Sequence, residues 1–328
     1  MLSLFFNIHE QNFNFSLMHK DNAPQDLWNL YMGTNFTGTI FTCVNCTTSS
    51  QNQYYFYNCL FYNLTNGGIV ITSNNYDFFD SDCVFYNCYN QNIGGAMYIS
   101  DANSIIHRKF CGDSCRGYVE SGGAQFVYSN ANNNNSMLQG TVFNCGIASG
   151  GNTNQLKSGN ILIYSLNNSY NHAAWDSCFY VPSGIEMKVN YSTFAYNSNQ
   201  GLYELFQIQT QISYHINNFI NNTHITKFFN LDYSSTIYHS SFMKNEYQAF
   251  STNSIILDNC YIDTPSSYTT TNSIETSFVN SLMHLSTAYC YAELPITPDN
   301  QKQVEFTEEL QIKKRDGKLL LFLGSSIT

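Results

Sequence analysis

The sequence predicts an all-β protein wound as a right-handed, single-stranded parallel β-helix (a β-solenoid) of roughly ten coils. Three observations lead to this prediction: the composition, a glycine repeat and a phenylalanine–asparagine repeat. Of the 328 residues, 16% are aromatic and 11% are charged, and asparagine occurs 43 times. A disordered chain would hold fewer aromatic residues, and a helical bundle would hold more Ala, Leu, Glu and Lys. The composition therefore indicates many short strands joined by Asn- and Gly-rich turns.

Glycine doublets recur at nearly constant spacing in the first half of the chain. The spacings between their first residues are 27, 28 and 28 residues, and a Phe-centred strand end precedes each doublet. Glycine permits tight corners where a side chain would clash. We therefore assign the doublets to the corners of the repeat: Gly67, Gly68, Gly94, Gly95, Gly122, Gly123, Gly150 and Gly151.

A Phe-x-x-Asn pattern continues the repeat in the second half of the chain. It begins at Phe194, Phe219 and Phe242, with spacings of 25 and 23 residues. Large apolar residues at a fixed position of a stacked repeat are expected to point inward. The predicted repeat core is Phe61, Phe85, Phe143, Phe194, Phe219 and Phe242.

A β repeat of about 24 residues holds only two or three short strands, so it cannot bury its apolar face alone. Stacking such coils at about 4.8 Å gives them one shared interior. Asparagine suits the corners because it tolerates the left-handed backbone region, and stacked asparagines can hydrogen-bond along the ladder. A leucine-rich repeat would need Leu-x-x-Leu-x-Leu, and a propeller would need repeats of about 40–50 residues. Neither pattern is found.

The chain is predicted to hold three segments. Residues 1–40 form an N-terminal cap or irregular segment, residues 41–296 form the parallel β-helix, and residues 297–328 form a charged tail, which we expect to be a poorly ordered linker or short helix. Residues 1–298 hold 8 Lys/Arg and 18 Asp/Glu, whereas residues 299–328 hold 5 of each, so the tail differs in composition. The formal net charge of −10 argues against a nucleic-acid partner.

The location of the protein is left open between two interpretations. The sequence contains no apolar run of about 18 residues, which is the length that a membrane-spanning helix needs. The apolar start Met1–Phe6 is too short for a secretory signal. The sequence therefore indicates either a cytosolic protein or a product clipped at one or both ends.

Cysteines and glycosylation sequons instead favour a secreted or surface protein. The possible N-glycosylation sites, besides Asn14, are Asn35, Asn45, Asn63, Asn134, Asn167, Asn190 and Asn221.

Among the 11 cysteines, Cys111 and Cys115 form a possible disulfide. A zinc site with His107 and buried apolar thiols stay open as alternatives. Cys59, Cys88 and Cys145 each follow an asparagine, and we predict that they point the same way in successive coils.

Two kinds of motif recur in the chain: Gly-Gly-Ala followed by an apolar strand, at Gly94 and Gly122, and later Phe-x-x-Asn, at Phe194, Phe219 and Phe242. Together they resemble the repeats of polymorphic outer-membrane proteins, and more closely the right-handed parallel β-helix surface-protein families of trichomonad protists. The resemblance covers about residues 40–298 and includes the Cys-rich Phe110–Cys115. It implies a cell-surface or secreted β-helix protein of adhesin-like or antigenic type without catalysis. It also implies an export signal and a C-terminal membrane helix, which this sequence does not show.

An enzyme with this fold would need particular catalytic residues. A β-helix pectin hydrolase would show Asn-Thr-Asp, Asp-Asp, Gly-His-Gly and Arg-Ile-Lys on consecutive coils, and none of these motifs occurs. Asp77, Asp80 and Asp82 form a close acidic trio, and they are more typical of a solvated loop than of a calcium site. We predict no catalytic, metal or cofactor-binding residue and no cofactor.

Three functions stay open. The first is a non-enzymatic β-helix protein whose loops between coils recognise a glycan or protein of a host or cell surface. The second is a carbohydrate-active β-helix enzyme, a lyase or hydrolase with an unrecognised site. The third is a purely structural or decaying copy from a large gene family. Three carboxylates in one groove would favour the enzyme, and a long aromatic and polar face would favour binding.

Overall fold

The computed structural model describes residues 34–40, 53–72, 74–117, 123–147, 149–200, 204–223, 226–246, 249–251, 255–263, 269–273, 311–315 and 318–322. In this part of the chain the regular elements are β-strands, and no helix occurs. Twenty-four strands form one parallel sheet, wound as a right-handed β-solenoid. The predicted fold class is confirmed.

Each coil contributes a strand, or part of a long strand, to each of three faces. The first face comprises Ile69–Ile71, 97–99 of Met97–Arg108, 127–130 of Val127–Leu138, Asn154–Lys157, Phe179–Val181, Phe206–Ile208, Lys227–Leu231 and Ala249–Ser251. The second face comprises 34–37 of Thr34–Ile40, 53–57 of Gln53–Tyr62, Asp77–Ser81, 104–108, 134–138, Asn160–Tyr164, Glu186–Asn190, Ile212–His215, Ser235–Tyr238, 255–258 of Ile255–Ile262 and Thr269–Ser273. The third face comprises 60–62, Val84–Tyr86, Cys111–Asp113, Thr141–Phe143, Asn167–Ser169, Thr193–Ala195, Asn218–Ile220, Ser241–Met243 and 261–262. Short strands between the third and first faces pair Tyr89–Asn90 with Arg116–Gly117 and His172–Ala173 with Ser198–Asn199.

About seven complete coils occur in the described part of the chain, from Ile69 to Met243, fewer than the roughly ten predicted. Incomplete turns extend the stack at both ends. The parallel pairing already includes Thr34–Ile40, so the predicted start of the solenoid at residue 41 is too late. Gln311–Arg315 and Lys318–Phe322 pair as antiparallel strands, so the predicted linker or short helix is wrong for these residues. The apolar run Leu319–Phe322 favours a strand.

Stacked phenylalanines fill the interior of the third face. Phe61 lies on Phe85 with ring centroids 4.6 Å apart, and Phe219 lies on Phe242 at the same distance. Phe194 stacks on Phe219 from the other side, at 5.4 Å. These five residues are buried at register-equivalent positions.

Phe143 does not belong to this stack, so its prediction as a core residue is wrong. Val142 occupies the inward position of that coil, and Phe143 lies one residue later, on the outer side. In the coil below, the inward position is Gly112, and the ring of Phe126 fills the space that a Cβ there would need. The ring that fills the level of Gly112 therefore comes from the turn before the first face, and in the coil of Phe143 the phenylalanine landmark is displaced by one residue.

The predicted corner glycines lie in the turn that precedes the first face. Gly67 and Gly94 have φ values of 86° and 73°. A Cβ at Gly94 would collide with the carbonyl group of Met97, so this corner requires glycine. The doublets lie at slightly different distances from their strands, because the register pairs Ile69 with Met97 and Met97 with Val127. Gly122 lies outside the described residues.

An asparagine ladder closes the corner that follows the third face. Asn171, Asn197, Asn222 and Asn245 lie on successive coils and are buried. Each of the first three donates from Nδ2 to the Oδ1 of the next, at 2.9–3.1 Å. Nδ2 also donates to a backbone carbonyl of the preceding coil, as Asn222 does to Phe194 at 2.8 Å. The ladder supplies the corner backbone with partners that water cannot provide.

Residues in the left-handed backbone region occur both at this corner and at the corner that precedes the third face. Non-glycine residues with positive φ occur on successive coils before the third face, from Asp82 to Asn259, and after it, from Asn63 to Lys244. Asparagine suits this conformation, but Ile216 also adopts it, with a φ of 54°. A β-branched residue is strained there.

Replacing Ile216 by asparagine is therefore expected to stabilise the protein by about 1 kcal/mol, because asparagine tolerates positive φ. The unfolding midpoint in urea should rise. Ile185 provides the control, because it is 68% exposed and has no positive φ. A stability unchanged in Ile216→Asn, or raised equally in Ile185→Asn, would show that the corner is not strained.

Candidate recognition face

One outward residue from each coil forms a continuous row along the first face. This outer row consists of Val70, Tyr98, Tyr128, Gln155, Tyr180, Gln207 and Asn230. All seven side chains are partly exposed, whereas their neighbours in the same strands, such as Ile69 and Ile71, are buried. None of the seven carries a formal charge.

Sequence reasoning missed the outer row. Its signal was a three-residue alternation, such as Ile-Val-Ile at Ile69 and Phe-Tyr-Val at Phe179. So short an alternation is not distinctive in an aromatic-rich chain.

Two tyrosines of the outer row, Tyr128 and Tyr180, are neutral hydrogen-bonding groups. Tyr98 and Tyr128 stack with ring centroids 4.9 Å apart and planes 16° from parallel. Burial raises the pKa of Tyr128 above its ordinary value, and Tyr98 and Asp101 raise it further. Burial also raises the pKa of Tyr180, with smaller contributions from Asp176 and Asp232. These two phenols therefore keep their protons at physiological pH and can donate and accept hydrogen bonds.

A pocket of about 440 Å³ lies at the Val70 end of the outer row. Its lining includes Val70, Tyr98, Asn90, Asn92 and Ile93. The Asn90 side chain fixes the loop, because its Nδ2 donates to the Ile93 carbonyl at 3.1 Å and its Oδ1 accepts from the Asn92 amide at 2.9 Å. Since Tyr128 covers one side of the Tyr98 ring, the other side is the one directed toward Val70 and the pocket.

Asp176 and Glu204 lie in successive turns that lead into the first face. Asp176 is fully buried and Glu204 is 6% exposed. Burial raises the pKa of Asp176 well above its ordinary value, and the carboxyl group of Glu204 raises it further. Burial also raises the pKa of Glu204, although Lys227 opposes this shift. Such a pair could hold a proton for acid catalysis, but the buried Asp176 has no surface at which a substrate could reach it.

The carboxyl groups of the acidic trio Asp77, Asp80 and Asp82 do not point toward a common site, and the trio is not a solvated loop. Asp80 points into the core and is fully buried, as is His107 on the next coil. Asp80 Oδ1 and His107 Nδ1 lie 2.5 Å apart. Asp77 lies on the outer side of its strand, and Asp82, at a left-handed corner, accepts a hydrogen bond from Ser81 at 2.6 Å. No cluster of three metal-ligating side chains occurs among the described residues.

The predicted disulfide between Cys111 and Cys115 is wrong. Cys115 is a free, buried thiol, whereas Cys111 is disulfide-bonded and packs beside Val84 on the outer side of the third face. The Cys111 side chain lies outside the third face and the Cys115 side chain lies inside the solenoid. The two therefore form neither a disulfide with each other nor a zinc site with the inward His107.

Cys88, Cys115 and Cys145 stack at the corner that carries the asparagine ladder in later coils. Like asparagine, two of these thiols donate to a backbone carbonyl of the preceding coil: Cys88 Sγ to Phe61 at 3.5 Å and Cys115 Sγ to Phe85 at 3.3 Å. Burial raises the pKa of Cys115 well above its ordinary value, so the thiol keeps the proton that it donates. Cys59 does not share this stack, because it precedes the third face and stacks with Cys83 instead.

The sequons differ in accessibility. Asn63 is exposed, and Asn134, Asn190 and Asn221 are partly exposed. Asn167 is fully buried, so the folded chain cannot carry a glycan there. The Asn35 side chain and Asn45 lie outside the part that the structure describes.

No family model, no curated protein and no solved structure matches this chain. The resemblance to trichomonad surface proteins therefore stays an expectation based on the repeat motifs. Among the described residues, no helix has the length and apolar character needed to cross a membrane.

Proposed function

We propose that this protein is a non-enzymatic recognition protein of cell-surface or secreted, adhesin-like type. The outer row is the observation that carries this proposal. It places six uncharged aromatic or amide side chains and one valine on seven successive coils of a rigid scaffold. A rigid surface with partly buried side chains loses little conformational entropy when a partner binds. Recognition therefore belongs to the outer row and the adjacent loop at Asn92, and not to loops alone.

A carbohydrate-active enzyme is the second candidate, and the carboxyl pair Asp176 and Glu204 is what favours it. Glycoside hydrolysis requires two carboxyl groups that flank the substrate, one of them with a raised pKa. The raised pKa values meet the second requirement. The complete burial of Asp176 conflicts with the first.

Binding and turnover should be measured together on the full chain. We expect binding to at least one ligand on an array of glycans and surface proteins. We expect no release of reducing ends or unsaturated sugars from a panel of polysaccharides. Glu204→Gln should leave binding unchanged, because Glu204 is almost buried and lies outside the outer row. Turnover that is lost in Glu204→Gln would replace this proposal by the enzymatic one, and the absence of any ligand would contradict both.

A further inference from the structure

We propose that the outer row binds an uncharged, extended polysaccharide that runs parallel to the solenoid axis, with its terminal sugar in the pocket at Tyr98. This inference rests on the proposed function and names the ligand class of the same face. Three features of the face carry it: its charge, its spacing and the chemistry of its pocket.

The charge of the outer row selects a neutral partner. The row holds three phenols, three amides and one valine, and no Lys, Arg, Asp or Glu. A protein of net charge −10 without a basic row repels nucleic acids and anionic polysaccharides. Phenols and amides instead both donate and accept hydrogen bonds, as neutral sugar hydroxyls do.

The spacing of the outer row selects a repeating partner. Successive side chains are one strand apart, about 4.8 Å, which is close to the length of one pyranose unit in an extended chain. Each sugar can therefore meet one coil, and the same contact recurs along the row.

The outer row offers a peptide strand no edge to extend. Strand addition requires unpaired backbone groups. The backbone of the first face is instead paired with the coils on both sides, as in the strand Phe179–Val181.

The pocket supplies a stacking surface for the end of such a chain. Its wall includes the side of the Tyr98 ring that Tyr128 leaves open, and its rim includes the exposed amide of Asn92. An aromatic face packs on the C–H face of a sugar, and a nearby amide bonds the hydroxyls. Because Asn90 and Gly94 fix the loop, the pocket is formed before the ligand arrives.

Calorimetric titration of the full chain with neutral gluco-, manno- and N-acetylglucosamine oligosaccharides, from disaccharide to octasaccharide, tests the inference. We expect affinity to increase with chain length until the ligand spans the row. Tyr98→Ala should weaken the longest bound ligand by about tenfold, and Asn92→Ala by several-fold. Asn92 is exposed, so its replacement tests the pocket even where Tyr98→Ala folds poorly. Polygalacturonate and heparin should not bind.

Tyr62→Ala is the matched control. Tyr62 is 45% exposed and stacks on Tyr86 with centroids 5.3 Å apart, but this pair lies on the third face. The inference is overturned if no neutral oligosaccharide binds, if affinity does not depend on length, or if the Tyr98 and Tyr62 variants behave alike. A protein or anionic ligand found on the array would overturn this inference while sustaining the proposed recognition function.

Discussion

Replacing His107 by leucine is expected to destabilise the protein by about 3–5 kcal/mol, because Asp80 would remain as an acid without its partner in the core. Both side chains are fully buried, and aromatic rings flank the imidazole: Phe78 at 5.6 Å and Phe110 at 6.0 Å. Asp80 Oδ2 and His107 Nε2 have no hydrogen-bond partner among the described residues. Asp80 and His107 therefore gain only one strong hydrogen bond, the one between them, although burial removes both side chains from water.

The same variant should show a characteristic pH dependence. Burial raises the pKa of Asp80, while His107 opposes this shift and Asp82 adds to it. A carboxyl group whose pKa is raised on folding keeps its proton in the folded state while the unfolded chain releases it, so stability falls as pH rises. Without His107 the pKa of Asp80 rises further. The deficit of His107→Leu should therefore be small at acidic pH and grow toward neutral pH.

Urea unfolding across this pH range measures both effects. The double variant Asp80→Leu/His107→Leu is the control, because it removes both polar groups from the core. It should be about as stable as the natural protein, or more stable. A double variant that is as unstable as His107→Leu at neutral pH would show that packing, and not the unpaired acid, causes the loss.

The second large effect is expected at the asparagine ladder. Asn222→Leu should cost about 4 kcal/mol or more, because four hydrogen bonds to buried groups would be lost. Asn222 Nδ2 donates to the Phe194 carbonyl and to Asn245 Oδ1, at 2.8 and 2.9 Å. Its Oδ1 accepts from the amide and the side chain of Asn197, at 3.0 and 3.1 Å.

Asn222→Cys should retain part of this stability, because a thiol at this corner can still donate to the carbonyl below it, as Cys115 does. Asn190→Leu is the control at a partly exposed position, where a loss within about 0.5 kcal/mol is expected. Thermal and urea unfolding rank the variants. Equal losses in Asn222→Leu and Asn190→Leu would mean that the ladder contributes no special stability.

The sequence predicts this fold well because its repeat is visible where strand and corner residues recur together. Phe194, Phe219 and Phe242 begin Phe-x-x-Asn patterns, and both the buried ring and the ladder amide follow from that pattern. Phe143 departs from this pattern because Val142 takes the inward position of its coil, and in the coil below the ring of Phe126 fills the space at Gly112. Periodicity alone does not show which face fills a space.

The buried polar pair and the outer row, which is the candidate site, were less predictable than the fold. Asp80 and His107 lie 27 residues apart and meet only because one coil separates them. Asp-Phe-Phe-Asp at Asp77 reads as a polar loop until the register shows which residues point inward. The outer row likewise appears only when seven coils are aligned, since each contributes a single residue.

The alignment of these coils is the central claim, and a paired-cysteine measurement tests it most directly. Gln155 and Tyr180 are register partners in the outer row, so Gln155→Cys/Tyr180→Cys should form a disulfide under mild oxidation, at a Cα separation of about 5 Å. Lys157→Cys/Tyr180→Cys is two residues out of register, beyond the reach of about 7 Å, and should stay reduced. Peptide mapping distinguishes these products from the buried native thiols. Efficient bridging in the first pair alone is the predicted result, and equal bridging in both pairs, or bridging in the second alone, would contradict the solenoid register.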